Sequence, residues 1–241
     1  MTPMLGIMAS SRPTSAPPPV AGFSLWLDAT NAGSFTFSSG VLVSQWSDLS
    51  GNGYHFSQAT SALQPSRNNN LQNGLPSVSF NGDCLTNNSW DWSASDYTVF
   101  AVINNRTGTV YDGTLSRDST SALQLGYDNA NKYAISRIGI ATSACNLGGT
   151  GSNADVVVYK GSARSGGSTT VQIYKNATAA SSTVTVSSLI AGGPNVLGAT
   201  RSTGVDEIVG YISEFIIYPS QLSNTDRNLV EAYLKAKWAT P

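Results

Sequence analysis

The most constraining feature of this sequence lies at its C-terminal end, where an apolar strand-like segment, Gly210–Tyr218, leads through Pro219 into a segment with helical periodicity. Ser223, followed three residues later by Asp226, has the pattern of a capping box at a helix N-terminus. One stripe of this helix is predicted to be apolar: Leu229, Val230, Tyr233, Leu234 and Trp238. The charged positions are predicted to face solvent: Asp226, Arg227, Glu231, Lys235 and Lys237. A helix with one apolar stripe packs on a flat surface, so the sequence predicts a sheet beneath it.

The rest of the chain consists of short apolar or alternating runs separated by glycine-rich turns. This pattern is typical of a two-layer antiparallel fold, because turn residues such as Gly192 and Gly193 supply the positive φ angles that hairpins need. We expect strands near residues 24–29, 42–48, 77–81, 97–104, 122–127, 132–137, 155–160, 170–175, 183–187, 195–199 and 209–218. The 241-residue length suits one domain of this kind, which we place at residues 22–241.

Two groups of residues at opposite ends of this domain resemble one family. The first is the C-terminal pattern Gly-x-Ile-x-Glu-x-x-x-Tyr, then Leu-Ser, then a helix ending Tyr-Leu-x-x-Lys-Trp. The second comprises Leu25-Trp-Leu-Asp-Ala29, Gln45-Trp-Ser-Asp-Leu-Ser-Gly-Asn-Gly-Tyr-His-Phe56 and Leu75-Pro-Ser-Val-Ser-Phe-Asn-Gly82. Together they resemble the laminin-G-like domains of the concanavalin A-like lectin and glucanase superfamily. The resemblance implies an all-β, antiparallel two-sheet jelly-roll sandwich with one C-terminal helix, but it implies no function, since the superfamily includes lectins, hydrolases and structural modules.

The N-terminal segment differs from the domain in composition. Residues 1–10 are mostly apolar, and residues 11–21 form a Pro- and Ser-rich linker whose three consecutive prolines favour an extended path. We predict that residues 1–10 dock on another protein through Met4, Leu5, Ile7 and Met8, which would make this segment an extended N-terminal arm. The segment also resembles short leaders of phage virion proteins. A disordered N-terminus is the alternative interpretation, and both stay open.

The charge and targeting patterns of the sequence limit the possible partners and location of the protein. Charged residues are 11% of the chain and the net charge is −1, so we expect no nucleic-acid partner, whose phosphates require clustered Lys and Arg. The apolar start is shorter than the ~20 residues of a membrane span, and it lacks the cationic flank of a signal peptide. The Ser-, Thr- and Asn-rich composition nevertheless suits an extracellular surface. Assembly in a host cytoplasm into a phage particle reconciles these features, so we predict a location on the virion surface.

Enzymatic activity is not expected from the sequence. Motifs such as Glu-x-Asp-x-x-Glu and Gly-x-Ser-x-Gly are absent, and the only histidine, His55, follows a turn where a structural role is expected. Along one strand, Glu207 and Glu214 would lie on opposite faces and roughly 23 Å apart, too far for paired carboxylates. Asp206 shares a face with Glu214 but would lie roughly 26 Å away. A carboxylate pair brought together from different strands stays open.

Binding sites are predicted at two places. Exposed aromatic rings bordered by amides and hydroxyls suit glycans, and the candidate residues are Trp90, Trp92, Tyr97 and Tyr111. Packing of these rings in the core is the alternative. Asp48, Ser50 and Asn52 offer alternating oxygens of the kind calcium prefers. A turn stabilised by its own side chains explains the same residues without an ion and is favoured. No other cofactor is predicted.

Cys84 and Cys145 are expected to be reduced, buried thiols, with one disulfide as the alternative. The overall prediction is a phage structural protein that decorates the particle or forms part of a fibre, anchored to capsid, collar or tail proteins by its arm. Its domain would bind host-surface or environmental polysaccharide and would be able to form a homo-oligomer. A carbohydrate-binding lectin and a glycan-degrading enzyme are the alternative functions.

Overall fold

The computed structural model describes residues 16–105, 112–119, 123–127, 133–137 and 154–241. The predicted arm lies outside these residues, apart from the end of the linker. The described residues form seventeen strands and one α-helix, α1 (Asn224–Trp238). The strands are β1 (Leu25–Asp28), β2 (Phe35–Ser39), β3 (Leu42–Trp46), β4 (Phe56–Ser57), β5 (Ser66–Gln72), β6 (Leu75–Phe80), β7 (Leu85–Asn87), β8 (Tyr97–Asn105), β9 (Gly113–Arg117), β10 (Leu123–Tyr127), β11 (Tyr133–Arg137), β12 (Asp155–Gly161), β13 (Thr169–Lys175), β14 (Thr178–Ala179), β15 (Val184–Val186), β16 (Asn195–Leu197) and β17 (Gly210–Tyr218).

These strands form an antiparallel sheet that curls into two layers. In the first layer the strand order is β13, β12, β8 and β17. β14 and β15 share the outer edge of β13, while β1 and β6 share the free edge of β17. In the second layer the order is β2, β3, β4, β7, β16, β9, β10 and β11. β5 pairs with both β6 and β3 and so joins the layers. The predicted all-β jelly-roll sandwich with one C-terminal helix is confirmed.

The core lies between the layers and is built by alternation along the strands. Tyr159 marks the inward face of the first layer, because its hydroxyl donates to the carbonyl of Gly126 in the second layer. Cross-strand partners share a face of a sheet, so residues paired with Tyr159, such as Val99, also point inward. Trp26, Trp46 and Trp238 are buried, as predicted.

The helix begins as the sequence predicts and covers the outward face of the first layer. Ser223 accepts a hydrogen bond from the amide of Asp226, and its hydroxyl donates to the Asp226 carboxylate. The stripe facing the sheet differs from the prediction, since Leu229 is 50% exposed whereas Arg227 and Glu231 are buried. These two charges form an ion pair of 3.0 Å, and the Arg227 guanidinium lies 3.9 Å from the ring centre of Tyr174. Mutual neutralisation and this cation–π contact offset the cost of burying them.

A buried polar cluster fixes the last turn of the helix to the sheet. Asp28 and Glu214 are directly opposite on β1 and β17 and have no exposed surface. The Lys237 ammonium lies 2.7 Å from Asp28 and 2.8 Å from Glu214. Glu214 also accepts hydrogen bonds from the indole N–H groups of Trp26 and Trp238. Burial raises the pKa of Glu214, and the neighbouring Lys237 charge opposes that rise.

The described end of the predicted linker lies against the domain. Pro18 is buried, and the carbonyl of Val20 accepts a hydrogen bond from Tyr218. The Tyr233 hydroxyl lies 2.9 Å from the Ala16 carbonyl. These contacts show that chain from Ala16 onward packs on the sandwich. No helix among the described residues is long and apolar enough to span a membrane.

We expect Lys237→Met to lower the free energy of unfolding by about 3–5 kcal/mol, because removing one partner leaves two buried carboxylates uncompensated. Urea denaturation of the full chain measures this loss. Lys235→Met is the matched control on the same helix and, with no ion pair among the described residues, should change stability by no more than about 0.5 kcal/mol. Equal stability of the two variants would contradict the assigned role of the cluster.

Candidate functional site

A polar groove of about 380 Å³ lies on the outward face of the first layer, beside the N-terminus of α1. On β13, strand alternation turns Thr170, Gln172 and Tyr174 to this face. Lys160 of β12 lies directly opposite Gln172 in the strand register, so it joins the same face. The residues that line the groove are Lys160, Ser162, Thr170, Gln172, Tyr174, Thr183, Gln221 and Asn224.

The loop before the helix supplies one wall of the groove. The hydroxyl of Thr98 on β8 donates to the carbonyl of Ser220 and accepts from the amide of Leu222. Because both hydrogen bonds involve one hydroxyl group on β8, they fix the position of the loop relative to the sheet. Gln221 lies between the two anchored positions and reaches the groove, where its side-chain amide approaches Asp96 at 3.4 Å.

The groove combines one aromatic ring with amides and hydroxyls. Arg227 lies over the Tyr174 ring, which holds the ring in place. The Gln172 side-chain amide donates to the carbonyls of Ile173 and Ala180, and this fixes its orientation. Thr170 shares a hydrogen bond with Thr185 and remains exposed. Pre-oriented polar groups around an aromatic surface are the chemistry that sugar hydroxyls and rings require.

The predicted aromatic platform is not formed as a unit. Trp92 is 1% exposed and Tyr97 is fully buried, and their rings pack edge to face at 4.9 Å. These two residues belong to the core, so the faces of their rings are not accessible to a sugar. Burial also raises the pKa of Tyr97. Tyr111 lies outside the described residues.

Trp90 is the member of this set that stays partly exposed, and it stacks on Tyr54 with ring centres 4.7 Å apart. Its carbonyl accepts hydrogen bonds from Arg117 and Asn195, which hold the backbone of this loop in place. A glycan contact at Trp90 stays a prediction.

Asp91 anchors the same loop through charge. Its carboxylate accepts two hydrogen bonds from Ser93 and lies 3.5 Å from Arg117 and 3.1 Å from Arg164. Burial by itself would raise the pKa of Asp91, but the Ser93 hydrogen bonds and both arginine charges outweigh it and lower the pKa.

The predicted calcium site has the geometry of a turn stabilised by its own side chains. One oxygen of Asp48 accepts from the amides of Trp26 and Ser50, and the other accepts from the Ser50 hydroxyl and the Tyr54 amide. The Asn52 side-chain amide donates to the carbonyl of Ser24, so its donor faces inward. The described residues contain no group of three or more His, Cys, Asp or Glu side chains placed to hold a metal.

Other predicted residues are placed as follows. The virion-docking residues Met4, Leu5, Ile7 and Met8 lie outside the described residues, as does Cys145. Cys84 is a free and buried thiol, as predicted, and burial raises its pKa. His55 has the expected structural role, because its Nδ1 accepts a hydrogen bond from the amide of Asp48.

Sequence reasoning left open a carboxylate pair from different strands, and Asp28 and Glu214 form one around Lys237. Both side chains are fully buried beneath α1, so this pair lines no groove. The groove itself was missed by sequence reasoning. The available signal was the alternation on β13, where Thr170, Gln172 and Tyr174 interrupt the apolar residues Val171 and Ile173.

The chain is similar in structure to Trypanosoma rangeli sialidase in complex with sialic acid, with a TM-score of 0.61 and 14% identity over 93% of this chain and 35% of the sialidase. It is also similar to an arabinofuranosidase complexed with arabinofuranosyl-α-1,2-xylobiose, with a TM-score of 0.55 and 15% identity over 82% of this chain and 51% of that chain. The chain thus spans about a third of one and half of the other. No protein-family model and no curated protein matches the sequence.

These likenesses establish the fold. They also correct the prediction that the chain is not an enzyme, because glycoside hydrolases contain this fold. The missing single-strand carboxylate motif is therefore no ground for excluding catalysis.

The placement of the two tryptophans predicts different costs of truncation. Trp92→Ala should lower the free energy of unfolding by about 3–5 kcal/mol, since it empties a buried site. Trp90→Ala should cost less, because the side chain is partly exposed. Urea denaturation of both variants measures the difference, and an equal or smaller loss for Trp92→Ala would refute its place in the core.

Asp91 predicts a pH effect with a definite sign. Because folding lowers its pKa, the carboxylate contributes stability above its unfolded pKa and loses that contribution as pH falls through the folded value. Wild type should therefore be more stable than Asp91→Asn at pH 7, and the gap should close in acid. Thermal melts of both proteins between pH 7 and pH 2 measure this gap; a gap that stays constant would contradict the prediction.

Proposed function

We propose that this chain is a glycan-binding domain whose binding site is the groove between β13 and the N-terminus of α1. The observation that carries the proposal is the lining of that groove, where Tyr174 lies among fixed amides and exposed hydroxyls. A volume of about 380 Å³ is sufficient for a small oligosaccharide segment, since small-molecule sites range from about 300 to 1,000 Å³.

The fold supports the same proposal. Jelly-roll sandwiches present a rigid sheet face and ordered loops, an arrangement that lectins use. The sialidase and the arabinofuranosidase that share the fold are carbohydrate-active proteins with sugar ligands in their structures. This likeness supports a glycan ligand in general, and the choice of groove depends on the side chains of this chain alone.

Display of the domain on a phage particle is a separate proposal, drawn from the composition and the N-terminal segment. It is tested by isolating particles from a lysate that contains the full chain and looking for this protein by mass spectrometry. Removal of residues 1–10 should abolish incorporation. Incorporation that survives this deletion would refute docking through Met4, Leu5, Ile7 and Met8.

The glycan proposal is tested with Thr170→Met, which adds a long uncharged side chain, on an array of neutral and acidic oligosaccharides. Thr170 is exposed, so a long side chain there fills the groove without disturbing the core, and binding should fall at least about tenfold, the equivalent of ~1.4 kcal/mol. Thr178→Met is the matched control, because Thr178 is exposed on β14 opposite Lys175 and so points to the other face. That variant should bind as wild type does.

The outcomes separate the candidate sites. Loss of binding in Thr170→Met alone supports the groove, whereas loss in Trp90→Ala alone would move the site to the Trp90 loop. Binding to none of the oligosaccharides would overturn the proposal. Analysis of the same incubations for released sugars shows whether a bound oligosaccharide is also cleaved.

A further inference from the structure

The charge balance inside the groove points to a class of sugar. Lys160 is the lining residue that carries a charge, and the lining contains no carboxylate. Among the described residues, no carboxylate lies within ion-pair distance of the Lys160 ammonium. A partly buried ammonium without a counterion is a ready partner for an anion, since charge-assisted hydrogen bonds are about twice as strong as neutral ones.

The acidic residues close to the groove already have hydrogen-bond or ion-pair partners other than Lys160. Asp96 accepts a hydrogen bond from the amide of Ala163 and another from the Gln221 side chain. Asp226 accepts from the Ser223 hydroxyl at the start of the helix. Glu231 is paired with Arg227 beneath the helix. These contacts leave the Lys160 ammonium free for a ligand.

Lys160 is also held where a bound sugar would meet it. It lies opposite Gln172 on β13 and opposite Thr98 on β8, so both neighbouring strands fix its backbone. Gln172 and Thr98 are uncharged and make hydrogen bonds to backbone groups, so neither neutralises the charge of Lys160. On β13, on either side of Gln172, Thr170 and Tyr174 provide a hydroxyl and an aromatic ring in the same groove. A ligand with one anionic group and an adjacent sugar ring would use all of these features together.

We infer that the groove selects an anionic sugar, in which a carboxylate or a sulfate ester pairs with Lys160 while the neighbouring ring lies against Tyr174 and Thr170. This inference rests on the proposed glycan-binding function and adds the ligand class. A neutral sugar would leave the ammonium without a counterion inside the groove, so the preference arises at this one residue.

The test compares oligogalacturonate with its methyl ester, a pair that differs in charge and in the added methyl groups, by isothermal titration calorimetry with the full chain. A sulfated galactan oligosaccharide and its desulfated form make the second arm and separate sulfate from carboxylate. Wild type should bind at least one anionic form about 10- to 100-fold more tightly than its neutral partner, the range expected for a hydrogen bond to a charged group. Raising the salt concentration should narrow the difference.

Lys160→Gln should remove that preference, whereas Lys160→Arg should retain most of it because it keeps the charge. Lys175→Gln is the matched control on β13, since Lys175 points to the opposite face and pairs with Asp155. Thermal melts of each variant establish that it is folded. Undiminished preference in folded Lys160→Gln would overturn the inference.

The inference and the proposed function fail in different ways. Equal binding of charged and neutral partners, blocked by Thr170→Met, would overturn the anionic preference and leave glycan binding in place. If no member of the two pairs binds, and no glycan on the array binds, both the inference and the proposed function are overturned.

Discussion

The placement of the C-terminal helix depends on the buried contact among Asp28, Glu214 and Lys237. Two carboxylates face each other across β1 and β17, in a region without solvent, where their repulsion would oppose the pairing of these strands. A single ammonium at 2.7 and 2.8 Å compensates both. Since that ammonium comes from the last turn of α1, the helix must end above these strands. The two carboxylates of the sheet therefore determine where the helix ends, and the helix in turn supplies the charge that compensates them.

The position of this buried contact also determines which part of the outward face the helix covers. From its fixed C-terminal end, α1 crosses the outward face of the first layer towards β12 and β13, where Arg227 reaches the ring of Tyr174. The helix begins at Asn224, directly after the loop that Thr98 holds against β8. At this end of the helix, Asn224 lines the groove together with Lys160 of β12 and Thr170 of β13. The groove therefore lies at the margin of the surface that the helix covers.

Much of the fold could be predicted because its strongest signals are local. The helix start depends on Ser223 and Asp226, which are close in sequence, and the eleven predicted strands all contain apolar or alternating residues. Six strands were not predicted, namely β2, β4, β5, β7, β9 and β14, although β2 contains the alternating sequence Phe-Thr-Phe. β5 has the polar sequence Ser-Arg-Asn-Asn-Asn-Leu-Gln, and its place is fixed by pairing with β6 and β3 rather than by its own pattern.

The candidate site was harder to predict because its properties depend on contacts between distant segments. Trp90 and Trp92 are two residues apart, yet one stacks on Tyr54 near the surface and the other packs on Tyr97 in the core. Nothing in the sequence distinguishes them, since the difference comes from what the fold places above each ring. The buried Arg227 and Glu231 illustrate the same limit, because each was predicted to face solvent. Their burial is stabilised by the ion pair between them and by the contact of Arg227 with the Tyr174 ring.

One sequence signal nevertheless connects the fold to the groove. Along the outward face, β8 and β17 present Phe100, Val102 and Ile216 to the helix, whereas β13 presents Thr170, Gln172 and Tyr174. The inward positions of β13, Val171 and Ile173, are as apolar as those of the central strands. A strand with one apolar face and one face of hydroxyl, amide and phenol groups fits an edge that packs on the core and leaves its other side open. The helix begins beside the polar outer positions of β13, so this change in composition lies at the edge of the groove.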